Sequence, residues 1–93
     1  MELVVTDRFR KNFYKLSAIE QKQTKNKIEL LQSNMFHPSL RTKKIKGGVK
    51  FFESSVNMDI RIIWYYDCDK IILADIGHHK IIDLGIIRTY NNS

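Results

Sequence analysis

An arginine inside an apolar run is the first residue that asks for a chemical explanation. Arg61 stands in Ile60-Arg61-Ile62-Ile63-Trp64, and a guanidinium there is costly unless it is paired or used. Two other reactive groups accompany it. Glu53 holds a polar position in residues 51–56, and the pair His78-His79 follows Gly77 at the end of an apolar stretch. A cation, a carboxylate and an imidazole suffice to cleave a phosphodiester through the adjacent ribose 2′-hydroxyl. A base takes the hydroxyl proton, an acid protonates the leaving 5′-oxygen, and a cation stabilises the charged phosphorane. No metal is needed. Glu53 has two roles open to it, general base or ion-pair partner of Arg61, and Asp75 is the other candidate partner.

A basic run, Arg41, Lys43, Lys44, Lys46 and Lys50, lies between Pro38 and these strands. Such runs are often only solvated faces. Here the chain carries a formal net charge of +6 in 93 residues, and phosphate contacts release counterions. Arg41, Lys43, Lys44 and Lys46 are therefore the candidate phosphate-binding residues. The same charge would suit an acidic protein partner. His37, beside Pro38, reads as a loop residue. Trp64, Tyr65 and Tyr66 offer ring faces for base stacking, but their apolar neighbours favour interior packing. The one cysteine, Cys68, lies between two aspartates that disfavour a thiolate. A chain with one cysteine forms no internal disulfide, which fits the cytoplasm. His78 and His79 are adjacent and face apart, without metal-ligand spacing, so neither a metal nor another cofactor is expected. No signal peptide or membrane-length apolar run is legible.

These side chains need a scaffold, and the length suits one domain spanning residues 1–93. Leu3, Val4 and Val5 read as a first strand. Thr6 caps a helix carrying Phe9, Phe13 and Leu16 on one stripe. Ser17 restarts the chain, with Glu20 three residues on completing a capping box. Residues 21–27 are polar throughout, and Ile28, Leu31 and Met35 supply the apolar stripe of the later turns. Pro38 ends the helical region. After Gly48, β-branched and aromatic residues dominate, giving strands over 51–56, 60–66 and 70–76. They are joined by the turns Asn57-Met58-Asp59 and Asp67-Cys68-Asp69. The expected fold is α+β: an N-terminal two-helix hairpin packed on a four- or five-stranded, mainly antiparallel twisted sheet.

Strand register decides which histidine meets Arg61. An odd-numbered turn that sets Arg61 against Gly77 puts His79 across from Asp59, on Arg61's face. An even-numbered loop selects His78 instead. Alternation favours the first choice by aligning Ile62, Trp64 and Tyr66 with Ile72, Ala74 and Ile76 as a helix-facing layer.

Three segments carry a family resemblance. They are residues 37–47, from His37-Pro38 through Lys43-Lys44-Ile45-Lys46-Gly47; residues 52–64, with Arg61 just after a turn; and Ile76-Gly77-His78-His79-Lys80-Ile81-Ile82. In this order, after two helices, they resemble the RelE/ParE superfamily of bacterial toxins. The resemblance implies a toxin of a type II toxin–antitoxin system, either a RelE-like ribosome-dependent endoribonuclease cleaving mRNA or a ParE-like inhibitor of DNA gyrase. A catalytically degenerate antitoxin-binding member is a further alternative. It implies an antitoxin partner, with ribosome and mRNA as the target of the first type. It also implies an active-site arginine at Arg61 and a catalytic basic or histidine residue at His79. Phe52 and Ser54 stand where RelE carries two lysines, and Asp83 stands near the position of a tyrosine common after the glycine-basic motif.

Overall fold

The computed structural model describes residues 2–45 and 50–79. Lys46, Ile81, Ile82 and Asp83 lie outside the described residues. The order is strand β1 (Glu2–Val5), helix α1 (Asp7–Tyr14), helix α2 (Ala18–Ser33), a 3-10 turn (Pro38–Leu40), and strands β2 (Lys43–Lys44), β3 (Phe52–Ser55), β4 (Ile60–Asp67) and β5 (Lys70–His78). The caps are those read from the sequence. Thr6 accepts the N–H of Phe9, and Ser17 and Glu20 close a reciprocal box. Burial adds one residue to the α2 stripe. Thr24 lies fully buried in the polar stretch, because its hydroxyl donates to the Glu20 carbonyl at 2.7 Å and leaves only its methyl to pack.

The five strands lie in the order β1-β5-β4-β3-β2. The meander β2–β5 is antiparallel, but β1 pairs parallel with β5. The sheet is therefore mixed, and the helices follow a strand rather than forming an N-terminal hairpin. Alternation showed Leu3–Val5 to be extended, but nothing local said which edge would receive it.

Both helices cover one face. Phe9 and Leu31 pack there with Ile60, Ile62, Trp64, Ile71, Leu73 and Ile76. The other face carries a smaller apolar cluster of Ile45, Phe51, Ile63 and Ala74, flanked by Tyr65. The expected layer thus has Ile71 and Leu73 where Ile72 and Ala74 were expected. The cause is a β-bulge: Trp64 pairs with Leu73 and Ile63 with Asp75, leaving Ala74 as the extra residue. The aromatic run divides as well. Trp64 is fully buried, whereas Tyr66 is half exposed against Phe52.

A chain of hydrogen bonds ties the basic loop to this core. The Trp64 indole donates to Ser54 Oγ at 2.8 Å, Ser54 and Thr42 share a hydroxyl bond at 2.7 Å, and Thr42 donates to the Met35 carbonyl at 2.8 Å. Thr42 spends its one proton on that carbonyl, so Ser54 donates to Thr42. Ser54→Ala leaves the buried indole N–H without a partner, which costs about 1–3 kcal/mol. A lower urea midpoint with an unchanged m-value is the expected measurement; an unchanged midpoint would show that the chain contributes nothing.

Candidate functional site

Arg61, Ile63 and Tyr65 alternate onto the face of β4 away from α1 and α2, and Glu53 and Ser55 do so on β3. Arg61 and Glu53 form an ion pair, with Nε 3.2 Å from Oε1. The Arg61 Nη1 donates to the carbonyls of Asn57 at 2.6 Å and Ile60 at 3.1 Å. Nε and Nη1 are thereby engaged, and the Nη2 edge has no partner among the described residues. The turn that supplies these carbonyls is rigid: Asn57 Oδ1 accepts the N–H groups of Asp59 and Ile60 at 2.9 and 2.8 Å. Asp75, the other candidate partner of Arg61, is taken by α1, accepting from Arg8 Nε at 3.0 Å and Asn12 Nδ2 at 2.6 Å.

Arg61 faces Gly77 across β5, and the backbone N–H of His79 donates to the Asp59 carbonyl at 3.0 Å. His79 is therefore the histidine on Arg61's row, by a route the sequence did not show. The β4–β5 turn has two residues, Cys68 and Asp69, because Asp67 pairs with Lys70. That even loop alone would select His78. The bulge at Ala74 adds one residue to β5 and restores the odd register before the strand reaches Arg61. The left-handed φ of 57° at Cys68 accommodates the tight turn.

His78 pairs with Ile60 and is exposed on the helical side. There its charge reaches Glu20, whose carboxyl is held below its ordinary range chiefly by the Ser17 backbone N–H, then by the Ser17 hydroxyl, with His78 adding a lesser pull. His79 is half-buried. It stands diagonal to Arg61, as Glu53 does on the other side, and such diagonal positions are about 7–8 Å apart. Gly77 contributes no side chain between them, so the sheet is open to close approach beside the guanidinium.

The basic run does not form one stripe. Lys43 pairs with Glu53 and shares its face, while Lys44 pairs with Phe52 on the other; both are exposed. Arg41 follows the 3-10 turn with φ 47° and ψ 43°, a left-handed conformation that costs a non-glycine residue about 1–2 kcal/mol. Lys50 lies 4.2 Å over the Tyr65 ring. His37 caps the 3-10 turn, its Nδ1 accepting the Ser39 N–H at 3.1 Å. Phe52 and Ser54 face the helices, so Glu53 and Ser55 hold the β3 positions on Arg61's face. Sequence reading put Ser55 on Arg61's face without giving it a role, and left Lys27 in a stretch read only as polar; both line a cleft with Arg41. Among the described residues no three potential ligands come together to hold a metal ion, and no helix is long and apolar enough to cross a membrane.

A two-helix layer on one face of a five-stranded sheet, with an arginine on the other face, defines a class of small basic α+β proteins. Solved structures with this fold include toxins. The RelE toxin of a RelB–RelE antitoxin–toxin complex from Methanococcus jannaschii superposes with a TM-score of 0.72 at 28% identity, covering 85% of this chain and 93% of that one. A metal-bound toxin from Helicobacter pylori gives 0.75 at 19% identity over 86% and 96% of the two chains. YoeB in a YoeB–YefM toxin–antitoxin complex from Staphylococcus aureus gives 0.70 at 12% identity over 85% and 97%. The chain has the fold of the RelE/ParE/YoeB toxins, in agreement with the resemblance in its sequence. No family model and no curated protein matches it.

Proposed function

We propose that this chain is the toxin of a toxin–antitoxin pair and that it cuts mRNA on the ribosome. The observation that carries this reading is the diagonal of Glu53, Arg61 and His79 on the sheet face away from α1 and α2, with Gly77 opposite Arg61. Arg61 offers its Nη2 edge to the scissile phosphate and stabilises the phosphorane. The ribose 2′-oxygen bonds to phosphorus as its proton passes to solvent water, the bond from phosphorus to the 5′-oxygen breaks, and His79 protonates that leaving oxygen, giving a 2′,3′-cyclic phosphate. Glu53, committed to Nε, holds the guanidinium in that orientation and so acts as a positioning residue. Arg41 and Lys43 meet neighbouring phosphates. Lys46 belongs to the same proposal, while Lys44 is turned to the other face and meets ribosomal RNA there. An acidic antitoxin is the expected partner of a surface carrying +6, as RelB and YefM are the partners in the complexes above.

The ribosome enters because a protein of 93 residues has little concave surface to hold and orient an RNA strand by itself, so the binding area has to come from elsewhere. Purified protein incubated with an mRNA is expected to cut it only when translating ribosomes are present. Equal cutting of the naked transcript would overturn the ribosome dependence. Trapped gyrase–DNA breaks with intact mRNA would overturn the nuclease reading.

A further inference from the structure

A cleft of about 240 Å3 opens where α2, the 3-10 turn and the β3–β4 turn meet. Its polar lining among the described residues is Lys27, Ser39, Arg41, Ser55 and Asn57, none of them a carboxylate. Among the described residues, the acids Asp7, Glu53 and Asp75 are paired with Arg10, Arg61 and Arg8, and neither Lys27 nor Arg41 has an ion pair. Two cations from different elements therefore face one concavity without a counter-charge. Their mutual repulsion is relieved by an anion in the cleft. Arg41 is presented there by a left-handed backbone, and strain of this kind in a non-glycine residue persists where surrounding structure enforces it, often at ligand clamps.

The remaining polar groups form the walls. Asn57 is committed: its amide donates to Gln23 Oε1 at 2.9 Å and its Oδ1 accepts two backbone N–H groups. The Ser39 hydroxyl is 2.9 Å from His37 Nδ1. Ser55 has a different place. It is the cross-strand partner of Arg61, so the cleft begins one strand away from the guanidinium and shares the Asn57 turn with it.

We infer that this cleft is a second phosphate site, taking a backbone phosphodiester of single-stranded RNA next to the one held by Arg61, with Lys27 and Arg41 as its cations. The inference rests on the reading of the chain as an RNA-cutting protein. It extends the substrate track from the sheet to α2, an element that contributes nothing to the Arg61 row.

The test uses binding alone, so it stands or falls separately from cleavage. The probe is a short 2′-O-methyl single-stranded oligoribonucleotide, which lacks the attacking hydroxyl, titrated into the full chain over a salt series. Lys27→Ala and Arg41→Gly, the latter keeping the left-handed backbone without steric cost, are each expected to weaken binding. Each should also reduce the slope of log K against log salt by about 0.7. Lys27→Arg should restore the slope. Lys22→Ala, an exposed α2 lysine outside the cleft, should leave it unchanged. Unaltered slopes in the cleft variants, an equal loss in Lys22→Ala, or tighter binding of a duplex hairpin would each overturn the site. Normal cleft-variant slopes with intact ribosome-dependent cutting would sink this inference and leave the nuclease standing. Lowered slopes without any cutting would do the reverse.

Discussion

His79→Ala is expected to lower ribosome-dependent mRNA cleavage by about 10²–10⁴-fold, the scale of losing a general acid. His78→Ala should leave the rate close to wild type, because His78 pairs with Ile60 and lies on the helical face. Single-turnover cutting of a ribosome-bound message measures both. The contrast between the neighbours is diagnostic, since they share side-chain chemistry and sequence context but not a face of the sheet. A silent His79→Ala beside a dead His78→Ala would mean that the bulge at Ala74 does not hold the register in solution.

Arg61→Ala should cost about 10²–10³-fold in the same assay, comparable to removing one donor from a developing oxyanion. This variant has a second consequence. Glu53 is only 7% exposed, and breaking a buried pair by deleting one partner costs about 3–5 kcal/mol. Set against a total stability of about 5–15 kcal/mol, such a loss can mimic an active-site effect by unfolding the protein. The double variant Arg61→Ala with Glu53→Gln separates the two. Neutralising the orphaned carboxylate should recover much of the urea midpoint and none of the cleavage. Recovery of both together would show that Arg61 matters only for folding.

Much of this scaffold was readable before any coordinates. The two N-caps, the capping box, the Asn57-Met58-Asp59 turn and the three-strand meander follow from local rules, in which a side chain within four residues satisfies the backbone. The parallel pairing of β1 was not readable, because the choice of edge is a tertiary event. The placement of His79 is more instructive. The β4–β5 loop was taken as odd and is even, and no bulge was expected. The two differences offset each other, so Arg61 still meets Gly77. Alternation fails to reveal a bulge because every residue in Ile71-Ile72-Leu73-Ala74 is apolar, and a one-residue slip leaves the pattern unchanged to the eye. Lys27 was hidden for the opposite reason: a polar residue reads as solvated until another element brings a second cation to face it.

Cutting of mRNA by this toxin, with His79 as its general acid, is decided by inducing the protein in growing cells and mapping the 5′ ends of mRNA, with the His79→Ala variant induced in parallel. The account predicts new ends inside translated coding regions with the wild-type chain and none with the variant. Absence of new ends with the wild-type chain while growth still arrests, or the same ends with His79→Ala, would contradict it.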